Sequence, residues 1–168
     1  PPAENLVLGS RLSMPFMKYF FLELNGDLSA VTNNQLGRTD TLQDKRSQDV
    51  MRVLHPYLTT NATTRVNLAY DASFRMMQKT FDLGFKFKHI DPNYSSFGMH
   101  YVIDDVRNYT VNGGLRLFDQ KFTFQGSYGI QLNNVKNVRK NTSTRNIMHL
   151  NASILPIKNG GLQLMYSN

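Results

Sequence analysis

Four histidines and a cluster of aspartates are the side chains best suited to chemistry. His89 and Asp91 lie two residues apart, and His100 and the Asp104-Asp105 pair follow along the same connection. A metal site or an Asp-His hydrolase could be assembled from such a set. His55 and His149 stand elsewhere. The chain has no HExxH, no GxSxG, no phosphate-binding loop and no EF-hand spacing. Loop histidines and turn-forming aspartates account for these residues without catalysis, so the expectation is no enzyme, no metal and no cofactor. Asn61, Asn108, Asn141 and Asn151 each open an Asn-x-Ser/Thr triplet. In a chain rich in Asn, Thr and Ser, chance explains these triplets better than glycosylation does. With no cysteine, disulfide, zinc-finger and thiol chemistry are excluded.

The remaining ionisable residues follow a rule of their own. From Arg65 to Met76 the even positions read Val66, Leu68, Tyr70, Ala72, Phe74, Met76, against Arg65, Asn67, Ala69, Asp71, Ser73, Arg75. From Thr80 to Lys88, Phe81, Leu83, Phe85 and Phe87 alternate with Asp82, Gly84, Lys86 and Lys88. Side chains of a strand alternate between faces, so each segment is a strand with one apolar side and one ionisable side. The polar side collects Glu23, Asp27, Arg65, Asp71, Arg75, Asp82, Lys86, Lys88 and Arg116. The apolar side collects Leu22, Leu24, Leu68, Phe74, Phe81, Phe85, Phe122, Phe124 and Leu150.

The elements that must carry these rows are about eight strands. They run over Asn5 to Met14 (ended by Pro15), about Lys18 to Thr32, Arg65 to Met76, Thr80 to Lys88, about Asn108 to Leu117, Phe122 to Asn133, Arg145 to Ile154, and from Leu162 onward. Gly126 and Gly129 interrupt the sixth and are expected to mark a bend or a close backbone approach. Short turns fall near Met77 to Lys79, at Phe118 to Gln120, and at Pro156 with Asn159-Gly160-Gly161, where glycine reaches positive φ without penalty. Long polar connections cover 33–63, 89–107 and 134–144, the first with a short helix expected near Leu42 to Leu54.

Short and long connections alternate, which in an up-and-down meander puts all short turns at one end and all long loops at the other. That is the asymmetry of outer-membrane barrels, with short periplasmic turns and longer extracellular loops. Strands of around ten residues also suit a tilted membrane crossing. The fold class expected is therefore all-β, an antiparallel up-and-down transmembrane β-barrel forming one domain over 1–168. Charges on a lipid-facing row would cost roughly 2–4 kcal/mol each for basic residues at the midplane, so the apolar row faces lipid and the ionisable row a hydrated lumen. Aromatics near strand ends, Phe20, Tyr70, Phe87, Tyr109, Phe122 and Tyr166, are candidates for interfacial girdles. With periplasmic short turns, the first strand descends from outside and the eighth returns there. Complete barrels usually keep both termini periplasmic, so the expectation is an internal fragment of a larger barrel; the start at Pro1-Pro2-Ala3 without Met fits a processed or excised chain.

No run of about 18 apolar residues occurs, so no transmembrane helix is expected. The formal charge of +7 is scattered over strands and loops rather than gathered on one helix or groove, which argues against a nucleic-acid partner. The alternative is a soluble β-barrel with the same alternation reversed, apolar side chains inward around an apolar ligand.

Residues 86–134 resemble a segment of large outer-membrane β-barrel proteins of Bacteroidota. The likeness rests on Asp91, Pro92, Tyr94, Ser96 and Gly98 in a loop, then Asp104, Asp105, Thr110, Val111 and Asn112 leading into a strand. Pro15 to Ala30 resembles the strand after a proline-initiated turn in such proteins. The resemblance implies an outer-membrane location, contact with outer-membrane lipid or lipopolysaccharide, and membership of a secretion or transport complex with other envelope proteins. It implies no substrate.

Overall fold

Every alternating segment forms a strand, and each strand pairs with its neighbour in sequence. A computed structural model of the chain describes residues 2–36, 52–98, 103–157 and 160–168. The strands are β1 Glu4–Phe16, β2 Phe20–Thr32, β3 Thr64–Met77, β4 Phe81–Ile90, β5 Val106–Leu117, β6 Phe122–Asn133, β7 Ser143–Ile157 and β8 Gly160–Ser167. They make one sheet in the order β1 to β8, and every neighbouring pair is antiparallel. The fold is an all-β, eight-stranded, up-and-down meander. Among the described residues β1 and β8 do not pair with each other, so the sheet has two open edges.

Four boundaries differ from the sequence expectation, each for a physical reason. Pro15 does not end the first strand: β1 continues to Phe16, with Pro15 opposite Phe21. Pro15 is the penultimate residue of β1, where the N–H it lacks costs at most one bond at the last rungs of the ladder. The second connection is shorter than 89–107, because the ladder continues through the pairs His89–Arg107 and Ile90–Val106. The last turn does not use glycine at positive φ: Gly160 lies in β8 opposite Ile157, and no described glycine has positive φ. The ladder instead shifts register between Ile154 and Ile157, across Pro156, which has no N–H to donate. Gly126 and Gly129 do not interrupt β6, which pairs through both on each side, but both are places of close approach: a β-carbon would come within 3.1 Å of Leu150 Cδ2 at Gly126 and of Thr110 Oγ1 at Gly129. Of the helix expected near Leu42 to Leu54, only a turn at 52–54 falls within the described residues.

The cross-strand register keeps the two rows apart over the whole sheet. Leu12, Leu24, Ala72, Phe87 and Tyr109 stand side by side across β1 to β5, and Leu83, Gly113, Gly126, Leu150 and Tyr166 across β4 to β8. A slip of one residue anywhere would exchange the faces. The polar face is concave. Arg75 and Met77 of β3 line the same cavity, of about 540 Å³, as Met165 and Ser167 of β8. In a flat sheet strands five positions apart would be separated by roughly 24 Å.

Among the described residues no dry centre fills the curve. The buried apolar side chains among the described residues are Ala30, Val31, Leu54, Leu58, Ile90 and Val106, all at or beyond the long-loop ends of the strands. The convex face stays open, with Leu68 46% and Phe85 44% exposed. A soluble barrel around an apolar ligand requires the reverse arrangement.

Candidate functional site

The concave face is polar because the residues at alternate positions are charged, amidic or hydroxylic, and their pairings follow the strand register. Arg11 Nη2 lies 2.5 Å from Glu23 Oε1, Arg116 Nη2 lies 2.6 Å from Asp82 Oδ2, and Lys86 Nζ lies 3.8 Å from Asp71 Oδ2. Asn25 also donates to Asp71 Oδ2 at 3.1 Å. Such half-exposed pairs contribute about 0.2–1 kcal/mol each and mainly fix side-chain positions. Arg75 borders the cavity, Lys88 stands opposite Asp71 and Asn108, Arg65 stands opposite Val31, and Asp27 stands opposite Gly9 and Ala69. All nine charged positions singled out in the sequence share this face, and all nine apolar ones share the other.

Three glycines shape the concave surface. A β-carbon at Gly9 would come within 2.7 Å of Asp27 Oδ1, one at Gly84 within 2.7 Å of the Asn112 amide, and one at Gly114 within 2.6 Å of Asp82 Oδ2. Each therefore makes room for a polar side chain to lie flat along the sheet.

A strap that the sequence did not announce crosses this face at its long-loop end. Residues 91–97, between β4 and β5, reach back over β3 and β2 to β1. The Ser95 carbonyl accepts hydrogen bonds from Ser29 Oγ and from Asn5 Nδ2, the latter at 3.3 Å. Asn67 Nδ2 donates to the Asn93 carbonyl at 3.1 Å, and Asn5 Oδ1 accepts from the Phe97 N–H at 3.2 Å. Burial, with the negative charge of Asp27 nearby, pushes the Tyr94 phenol above its ordinary value and keeps it neutral. The only advance signal was a run of short polar residues, Asn5, Ser29 and Asn67, on the ionisable face near strand ends.

The His-Asp cluster is a fastener between loops. Asp91 Oδ1 meets Lys136 Nζ at 2.8 Å and His89 Nε2 at 3.2 Å, and Oδ2 accepts from the Leu68 N–H at 3.0 Å. The His89 ring packs on Tyr70 with centroids 5.2 Å apart. Asp104 pairs with Arg139 and accepts from the Asn93 N–H at 2.6 Å, while the buried Asp105 accepts from the Lys136 N–H at 3.1 Å. These contacts join the connection after β4 to that after β6. Lys136 and Arg139 were not among the candidate residues. His100 lies outside the described residues, His55 lines a rim pocket with Glu4, and His149 sits on β7 opposite Ser127. Among the described residues no three His, Cys, Asp or Glu side chains converge as a metal site would require.

The Asp91 carboxyl titrates below its ordinary value. Burial acts to raise it, but the Lys136 ammonium, the Leu68 N–H and His89 together outweigh burial. A depressed carboxyl stabilises the fold fully above its unfolded value, about 3.9, and loses that contribution as pH falls through the lowered one. Acid is therefore expected to loosen the fastener. Hydrogen exchange at the Leu68 amide should lose protection below about pH 4, beyond the intrinsic pH effect. In Asp91→Asn that acid step should vanish; an unchanged step would place its origin elsewhere.

On the convex face Tyr70, Phe87 and Tyr109 form a continuous row, with successive centroids 5.8 and 5.2 Å apart, and Phe20 stacks on Phe74 at 5.5 Å. Phe122 and Tyr166 stand away from both groups, opposite Leu117 and Ile154 and opposite Leu150 respectively.

No known protein family and no curated protein matches the chain. A solved structure described as "Crystal structure of Acinetobacter baumannii OccAB2" is similar at 10% identity and a TM-score of 0.48, over 98% of this chain and 41% of that one. The chain thus spans less than half of that structure. A likeness this loose carries no argument, and the reading below rests on the geometry.

Proposed function

We propose that this chain is a stretch of β-barrel wall in a bacterial outer membrane, acting without catalysis as a channel wall or scaffold subunit of an envelope secretion or transport assembly. The observation that carries the reading is the continuous exposed apolar surface on the convex side, set against an ion-paired concave side. In water that surface would cost about 25 cal/mol per Å² left uncovered, and acyl chains of outer-membrane lipid or lipopolysaccharide remove the cost. The open edges of β1 and β8 need strand partners in hydrocarbon, where unpaired backbone groups cost several kcal/mol each. Further strands closing the wall would supply them. Other envelope proteins are the expected partners at the loop end, where the strap and the fastener present a fixed surface.

The absence of cysteine makes the test direct. Single cysteines replacing Phe85 and Lys86, adjacent on β4, carry an environment-sensitive dye, and the protein is placed in bilayers of brominated lipid. The dye at 85 is expected to be strongly quenched and the dye at 86 spared. Equal quenching, or the reverse order, would refute a lipid-facing convex side.

A further inference from the structure

The two halves of the concave face differ in charge. β2, β3 and β4 carry Glu23, Asp27, Asp71 and Asp82, whereas β5, β6, β7 and β8 contain no aspartate or glutamate at all. The cavity between β3 and β8 lies mostly in the acid-free half. Its single carboxylate, Asp82, is already held by Arg116 at 2.6 Å, and among the described residues no carboxylate pairs with Arg75. Amide and imidazole groups complete the lining. Asn151 accepts from Gln163 through Oδ1 at 3.3 Å, which leaves its NH₂ to donate, and His149 meets Ser167 through Nδ1 at 2.9 Å, which leaves the other ring nitrogen available. Gln125 lies beside Asn151 in the register.

We propose that this cavity binds a solute bearing an oxyanion, a carboxylate or a phosphate, with Arg75 as the cationic anchor and Gln125, Asn151 and His149 as hydrogen-bonding partners. A guanidinium matches the planar pair of oxygens such groups present. With Asp82 already engaged, an arriving anion meets no free carboxylate. A volume of about 540 Å³ suits a small organic acid or phosphate ester. Flat-lying Asp82 and Asn112, accommodated by Gly114 and Gly84, keep the floor of the cavity open. The proposal rests on the reading that this face borders water, and its test separates the two.

Ser127 and Ser167 both line the cavity. Each is replaced singly by cysteine in the full chain in lipid nanodiscs, and modification rates are measured with methanethiosulfonates carrying a sulfonate or a trimethylammonium group, each normalised to a free thiol in solution. One uncompensated cation at close range predicts that the anionic reagent is favoured about threefold to tenfold, less at high salt. Inorganic phosphate and a small dicarboxylate, added separately, should each slow the reaction, and the ranking of the two names the preferred oxyanion. Arg75→Gln should bring the ratio to about one and abolish the protection. A normalised ratio at or below one at both positions, or no protection by either anion, overturns the anion site while leaving the membrane reading intact. Thiols that resist both reagents yet are reached by a lipid-dissolved quencher would overturn the water-facing assignment itself, and the anion site with it.

Discussion

Arginine in place of Phe85 is expected to destabilise the membrane-inserted sheet by roughly 2–4 kcal/mol, the cost of a cation on the lipid side of a strand near mid-bilayer. Phe85 sits in the middle of β4 between Phe74 and Val111, with apolar neighbours on both sides and no acid beside it to pair with an introduced charge. Lys86→Ala, one residue away on the other face, removes only a half-exposed pair with Asp71 at 3.8 Å and should change stability by less than about 1 kcal/mol. Denaturant titration in phospholipid vesicles compares the two. A Phe85→Arg variant as stable as wild type would mean the convex face does not meet hydrocarbon.

Truncation of Leu58 to alanine should produce a change of similar size, but a local one. Leu58 is 3% exposed and packs with Leu54 against Ala30, supported by Leu6, Leu28 and Val66. Removing a buried leucine side chain costs about 2–5 kcal/mol where the site cannot collapse. Here the loss falls on the segment before β3, which is held to the sheet by this contact and by Thr32 Oγ1 donating to the Thr59 carbonyl at 2.7 Å. Hydrogen exchange should show the Leu58 and Thr64 amides, bonded to the carbonyls of Leu54 and Asn61, losing protection, while amides of β4 and β5 keep theirs. Uniform loss across the sheet would show that this segment is part of the main cooperative unit.

The strands, their order and the two faces were legible because period-two alternation is a local signal, and antiparallel pairing of neighbours converts it into sheet-wide rows. Strand ends were less legible. His89, Ile90, Val106 and Arg107 pair as β-structure although the alternation fades there, because the ladder is extended by backbone hydrogen bonds that side-chain type does not report. Pro15 misled for the opposite reason: a residue that breaks the middle of a strand is tolerated next to its end. Nothing local announced that residues 91–97 cross the concave face to Asn5, or that Lys136 would meet Asp91, since these contacts join residues far apart in sequence through hydrogen bonds any polar loop could make. The charge asymmetry between β2–β4 and β5–β8 was readable from composition, but it acquired meaning only when the curvature brought Arg75 and Ser167 to one cavity.

Gly9, Gly84 and Gly114 set how far the concave surface stands out from the sheet. Each lies beneath Asp27, Asn112 or Asp82, so the wall's bulkier polar groups are recessed into it instead of standing upright. Alanine at any of the three would lift the overlying group off the sheet and make the concave surface shallower at that level. The relief of the concave face is thus governed by its smallest residues, and in the proposed channel wall its polar lining would stay within reach of a solute without obstructing it.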